Sequence, residues 1–197
     1  TINYTGFAAT GAHFHGPAPA GANAGVKVVI GTVNPAVGSI GLTAADSAQI
    51  MSGLWYVNVH SAAFPGGELR GQVILSWEDL GGGTVGVNGT PSLLGGGSLV
   101  GGSAASLRLR QGPPAAPVLA WLSFNPTPLP FDGGVVHTLP FVQQFAFSTN
   151  GVGDVNVATT WPLGIPAGIQ AYLQFICADA SVPSGITISN AVRLTSP

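Results

Sequence analysis

The chain of 197 residues carries 5 Lys+Arg and 7 Asp+Glu, 6% charged in all with a formal net charge of -2, against about 25% charged in ordinary soluble domains. So few cations cannot neutralise a phosphate backbone, which excludes nucleic acid as a partner. A hydrophobic share of 46% and a mean hydropathy of +0.44 exclude a solvated disordered coil despite 30 Gly and 16 Pro.

In chain order, short apolar stretches alternate with Gly, Pro, Asn and Ser, the rhythm of strands and turns, and this predicts an all-β fold. Strands are expected at Ile2–Phe7, Ala12–His15, Val26–Thr32, Gly53–His60, Glu68–Trp77, Thr84–Asn88 and Ser98–Val100. Further strands are expected at Ser106–Arg110, Val118–Ser123, Gln143–Ser148, Val155–Trp161, Ile169–Cys177 and Ile186–Leu194. Thr43–Gly53 departs from the pattern: Thr43 can cap, Asp46 follows three positions on, the interior tolerates helix and Gly53 stops it, so one short helix is expected. WEDLGGG at Trp77–Gly83 ends one strand-rich block and opens another, which places a boundary near residue 80 between domains 1–80 and 81–197. No apolar run reaches the ~20 residues of a membrane-spanning helix, so no membrane span is expected. The first residues lack a signal-peptide layout, so any export signal is expected to have been removed.

The first block carries the chemistry. In AHFHGPA, the strand period of two puts His13 and His15 on one face, their backbones ~7 Å apart. His60 ends LWYVNVH, where Tyr56, Asn58 and His60 share a face and Val57 and Val59 take the other. A His-x-His pair with a distant strand-borne His can hold copper or zinc through neutral imidazole nitrogens, the only cofactors these residues suggest. The competing reading is a hydrogen-bonded histidine network with Glu68 and Arg70 of GGELRGQ as charge partners.

AHFHGPA, a short helix with its Gly, and then GLWYVNVHSAAFPGGELRGQ resemble the CHRD domain over residues 2 to about 76. The resemblance implies an immunoglobulin-like β-sandwich or barrel in an extracellular or cell-surface protein. The family's histidine motif falls on His13 and His15, its YVNVH motif on Tyr56 to His60, and its GGEIRGQ motif on Gly66 to Gln72. This last motif contains Glu68, Arg70 and Gln72, with Leu69 in place of Ile. The His-x-His pair is also similar to the copper-site strand of copper-zinc superoxide dismutases. Their further histidines and bridging-ligand loop are missing here, which speaks against redox catalysis. Family members begin earlier, with strands leading into the equivalent of Ile2–Phe7, so the first sandwich is expected to lack strands that belong to a longer chain, were removed by processing, or are supplied by a neighbouring molecule.

Residues 84 to 197 resemble a Gly/Pro-punctuated β-sandwich at the C-termini of secreted proteins of environmental bacteria, through GTPSLLGGGSL, LPFDGG, IPAGIQAYLQFICADA and GITISNAVRLTSP. Those members often carry a Cys pair. Here Cys177 is alone, so no internal disulfide forms and a buried structural thiol is expected.

No enzyme is expected. GxSxG does not occur, and His137 has no acidic neighbour in sequence closer than Asp132, so a hydrolase triad is unsupported. Gly81–Gly83 and Gly95–Gly97 lack the Lys-Ser/Thr of a phosphate loop. The low charge and missing leading strands favour a structural role: a subunit of an extracellular fibre, sheath or surface assembly, held by strand pairing between copies of itself. A secreted copper- or zinc-binding protein using His13, His15 and His60 is the first alternative, and an adhesion or ligand-binding module the second.

Overall fold

The computed structural model describes residues 2–197. The chain divides into two compact units, Thr1–Leu75 and Ser76–Pro197. Among the described residues both are all-β apart from one helix, and every ladder is antiparallel.

In the first unit, β1 (Ala9–His15), β2 (Val26–Val29), β3 (Tyr56–Ser61) and β4 (Leu69–Gln72) form one sheet in the order β2-β1-β3-β4. Alternation along β1 and β3 sorts their side chains between two faces. Ala12, Val57 and Val59 pack with Tyr4, Phe7 and Ile30 in an apolar cluster, leaving the histidines on the other face. The expected first sandwich is thus a single four-stranded sheet among the described residues.

The expected strand Ile2–Phe7 supplies core side chains but only one bridge, Ile2 to Ala36. The Asn34 side chain occupies its hydrogen-bonding groups, accepting from Tyr4 N at 3.3 Å and donating to Tyr4 O at 2.6 Å. Gly6 at φ 96° then turns the chain out of the extended region.

The helix α1 (Ala44–Met51) forms where expected, with Thr43 as N-cap in a reciprocal capping box. Thr43 Oγ1 accepts from Asp46 N at 3.1 Å, and the Asp46 carboxylate accepts from Thr43 N at 3.3 Å. The Thr43 hydroxyl and the Lys27 ammonium hold Asp46 below the usual carboxylate range.

The second unit contains β5 (Trp77–Gly81), β6 (Ser92–Gly97), β7 (Ala104–Arg110), β8 (Pro117–Ser123), β9 (Leu129–Phe131) and β10 (Gly134–Val136). It continues with β11 (Gln143–Ser148), β12 (Val155–Thr160), β13 (Gln170–Ala178), β14 (Ile186–Ile188) and β15 (Ala191–Thr195). A six-stranded sheet runs β11-β8-β13-β15-β5, with β14 also paired to β13, and a three-stranded sheet runs β12-β7-β6. One buried cluster joins Leu93, Leu109 and Val155 of the smaller sheet to Val118, Phe175 and Val192 of the larger, so the two sheets pack as a β-sandwich.

Several expected strands break for identifiable reasons. The stretch Glu68–Trp77 divides into β4 and β5, and β5 pairs with β15 in the second unit. Ile186–Leu194 divides at Ser189 and Asn190, whose side chains bind backbone themselves: Ser189 Oγ accepts from Phe175 N at 2.9 Å and Asn190 Oδ1 from Leu93 N at 2.6 Å. Thr84–Asn88 is not a strand; it carries a Gly86–Gly89 bridge, and Val87 N donates to the Asp179 carboxylate. The strand expected at Ser98–Val100 lies earlier, as β6. The β9–β10 hairpin was not expected, although its Asp132–Gly133 turn, at φ 46° and 81°, uses a strong two-residue hairpin signal.

Candidate metal centre

The site is built on the polar face of β1 and β3. Their continuous register sets His15 opposite Tyr56, His13 opposite Asn58 and Gly11 opposite His60, with an irregularity only beyond this pair, between Gly11 and Ala9. The imidazoles of His13, His15 and His60 converge, one ligand nitrogen from each lying within 4.8 Å of the others. All three side chains are half-buried. No carboxylate or thiolate joins them among the described residues.

Two of the three rings have their tautomer fixed by the main chain. His15 Nδ1 lies 3.0 Å from Ala24 O, and His60 Nδ1 lies 2.8 Å from Pro65 O. A carbonyl can only accept, so each Nδ1 carries the proton and each Nε2 is left with a bare lone pair. His15 Nε2 is buried without a hydrogen-bond partner. His60 Nε2 meets His13 Nδ1 at 3.2 Å, and with His60 obliged to accept, His13 donates. Burial, then the neighbouring His60 and His15, hold His13 below the ordinary histidine pKa, so its neutral form is favoured near pH 7.

A second layer fixes the ring of His15. Tyr56 stacks on it at 4.8 Å with an interplanar angle of 4°. The Tyr56 hydroxyl accepts from Ala24 N at 3.1 Å. Arg70, from the neighbouring strand β4, lies 3.4 Å over the Tyr56 ring and donates to Ala22 O at 2.7 Å and Asn23 Oδ1 at 3.1 Å. The segment Ala22–Ala24 is therefore tied down by His15, Tyr56 and Arg70 together, which aims the Ala24 carbonyl at His15. Gln72 Nε2 donates to Ala18 O at 2.9 Å and Gly53 O at 2.6 Å, pinning the chain on either side of the helix.

The charge partners of the network reading are not in place. Arg70 serves Tyr56 and the Ala22–Ala24 segment, and Glu68 enters the sheet through its main-chain N–H to Val59 O at 2.8 Å. Among the described residues, neither makes an ion pair or hydrogen bond to the histidines. Sequence reasoning missed the carbonyls of Ala24 and Pro65, since any residue offers that group and only the fold shows which ones face an imidazole.

The remaining candidates lie elsewhere. His137 is in the second unit, its pKa lowered by burial, and joins no group of possible ligands among the described residues. Cys177 is fully buried and unpaired. Burial and then Asp179 push its thiol up to about 12, so it is a packing residue rather than a nucleophile.

The first unit is thus a small β-sheet module with a three-imidazole donor set on one face. Residues 1–73 match the family model of the CHRD domain, a domain typical of secreted proteins. No curated protein and no solved structure matches the chain. No helix among the described residues is long and apolar enough to cross a membrane.

Proposed function

We propose that the first unit is a secreted metal-binding module in which His13, His15 and His60 hold a copper or zinc ion. The observation that carries this reading is the buried, unpartnered Nε2 of His15, whose Nδ1 proton is committed to Ala24 O. A buried acceptor without a donor costs about 1–3 kcal/mol, and a cation at that lone pair removes the deficit. Imidazoles whose second nitrogen donates to a backbone carbonyl have the outer-shell arrangement found around metal-bound histidines. Three neutral nitrogens without thiolate or carboxylate suit copper or zinc rather than calcium or magnesium. Within the site, His15 and His60 present Nε2, and His13 gives up its hydrogen bond to His60 to become the third ligand. The proposed role is binding, and among the described residues no carboxylate or thiolate joins the three imidazoles.

Titration calorimetry of the metal-stripped protein with zinc and with copper tests this. One ion per chain is expected, with binding lost on replacing any one histidine by Ala. Equal binding by the triple Ala variant would refute it.

A second reading, assembly of copies into an extracellular fibre, sheath or surface layer, has its own support. β2 is an edge strand whose Val29 is 71% exposed, and the following segment leaves Val33 and Val37 at 74% and 76%. The one charge of β2, Lys27, is paired with Asp46, and an exposed apolar sheet edge is a template for pairing with another chain. Light scattering over a concentration series, with electron microscopy of untreated material, tests it: filaments support the reading, and a monomer throughout refutes it.

A further inference from the structure

The two sheets of the second unit leave a cavity of about 400 Å³ between them, within the range of small-molecule sites. Well-packed interiors leave few voids larger than a water molecule, so a space of this size needs a cause. It lies in two small residues. In the larger sheet Ala120 stands opposite Phe145 on one side and Phe175 on the other, so a methyl group occupies a row flanked by phenyl rings. On β13, Ala171 is paired with Leu194 and again falls short of the opposite sheet. Ala120 and Ala171 are 1% and 5% exposed and form the floor, while Leu107 and Val157 of the smaller sheet face them across the space.

The cavity grades from this buried floor to an exposed rim of Phe124, Phe145 and Ile165. None of its lining residues is charged. The one side-chain hydroxyl, that of Thr159, lies 3.4 Å from Thr160 O, to which it donates. The segment after β12 supplies Pro162, Ile165 and Ile169 as a third wall, so the space is a pocket with a mouth rather than a slot between two edges.

We propose that this cavity is a binding site for a neutral, hydrocarbon-rich small molecule with the chemistry of a free medium-length alkyl chain. Charge is excluded because no lining group can compensate a desolvated ion, and a sugar is excluded because its many hydroxyls would meet only two polar side-chain groups, the Thr159 hydroxyl and the unpartnered Trp161 Nε1–H. A strand from a second copy would need a channel open along its length, which the third wall denies.

The test uses the full chain and the neutral fluorophore N-phenyl-1-naphthylamine, read through energy transfer from Trp161 and through its own emission, with 1-decanol as competitor. Saturable binding of one probe per chain is expected, reversed by decanol. Thr159→Arg, at an exposed rim position, and Ala171→Phe, which fills the floor, should each weaken it about tenfold or more, with circular dichroism confirming the fold. The proposal is overturned if the wild-type chain shows no saturable binding, or if both folded variants bind as well as wild type. It is also overturned if light scattering shows that dimer formation, and not decanol, displaces the probe, since the occupant would then be a second copy.

Discussion

Replacing Tyr56 by Phe isolates the layer that supports the histidines. Tyr56 is 2% exposed, and the substitution retains the ring stacked on His15 and covered by Arg70. What goes is the hydroxyl that accepts from Ala24 N at 3.1 Å. An unsatisfied buried donor costs about 1–3 kcal/mol, and Ala24 is only half-buried, so water recovers part of this and about 1 kcal/mol is expected. For a unit of this size that lowers the melting transition by about 4–8 °C. The same change frees the Ala24 carbonyl that orients His15, and loss of such an outer-shell contact weakens metal binding by about 10–100-fold. Scanning calorimetry of the metal-free chain and zinc titration of Tyr56→Phe read the two effects separately. An unchanged transition together with an unchanged affinity would refute the argument that Ala24 is held by Tyr56 for the sake of His15.

Further predictions follow from the same contacts. His13 has a folded-state pKa below its unfolded value, so the folded chain binds fewer protons, and stability present above about pH 6.5 is lost as the pH falls through the lowered value. Urea denaturation of the metal-free protein between pH 7.5 and 5 should show this loss, and the slope should be shallower in His13→Ala, leaving the share due to His137. Thr43→Ala removes the capping oxygen of α1 and should cost about 1 kcal/mol in urea denaturation, with metal affinity unchanged, since the helix contributes no ligand. Cys177, buried and with its thiol at about 12, should resist a disulfide reagent at pH 8 in the folded chain and react at once in denaturant; rapid labelling of the folded chain would contradict its placement.

The parts of the structure legible in the sequence are those fixed by local chemistry. The period of two placed His13 and His15 on one face, and the threonine-aspartate spacing marked the helix, because each depends on residues within a turn or strand. Breaks in strands were less legible because they are caused by partners far away in sequence. Asn34 displaces pairing at Tyr4, and Asn190 replaces ladder bonds by holding Leu93, 97 residues distant. The hairpin at Asp132–Gly133 was readable from its turn residues and went unexpected because strands of three residues leave too short an apolar pattern. At the site, the ligands were recognisable as histidines. The Ala24 and Pro65 carbonyls that set their tautomers were not, since nothing distinguishes those carbonyls until the chain folds back.

The most direct test of the metal centre is the metal content and X-ray absorption spectrum of chain loaded with zinc or copper and then dialysed. The account predicts one ion per chain, with three imidazole nitrogens at about 2.0–2.1 Å for zinc, and no retained ion in the His13→Ala, His15→Ala, His60→Ala triple variant. Retention by that variant equal to wild type, or a wild-type chain that keeps no ion, would contradict it.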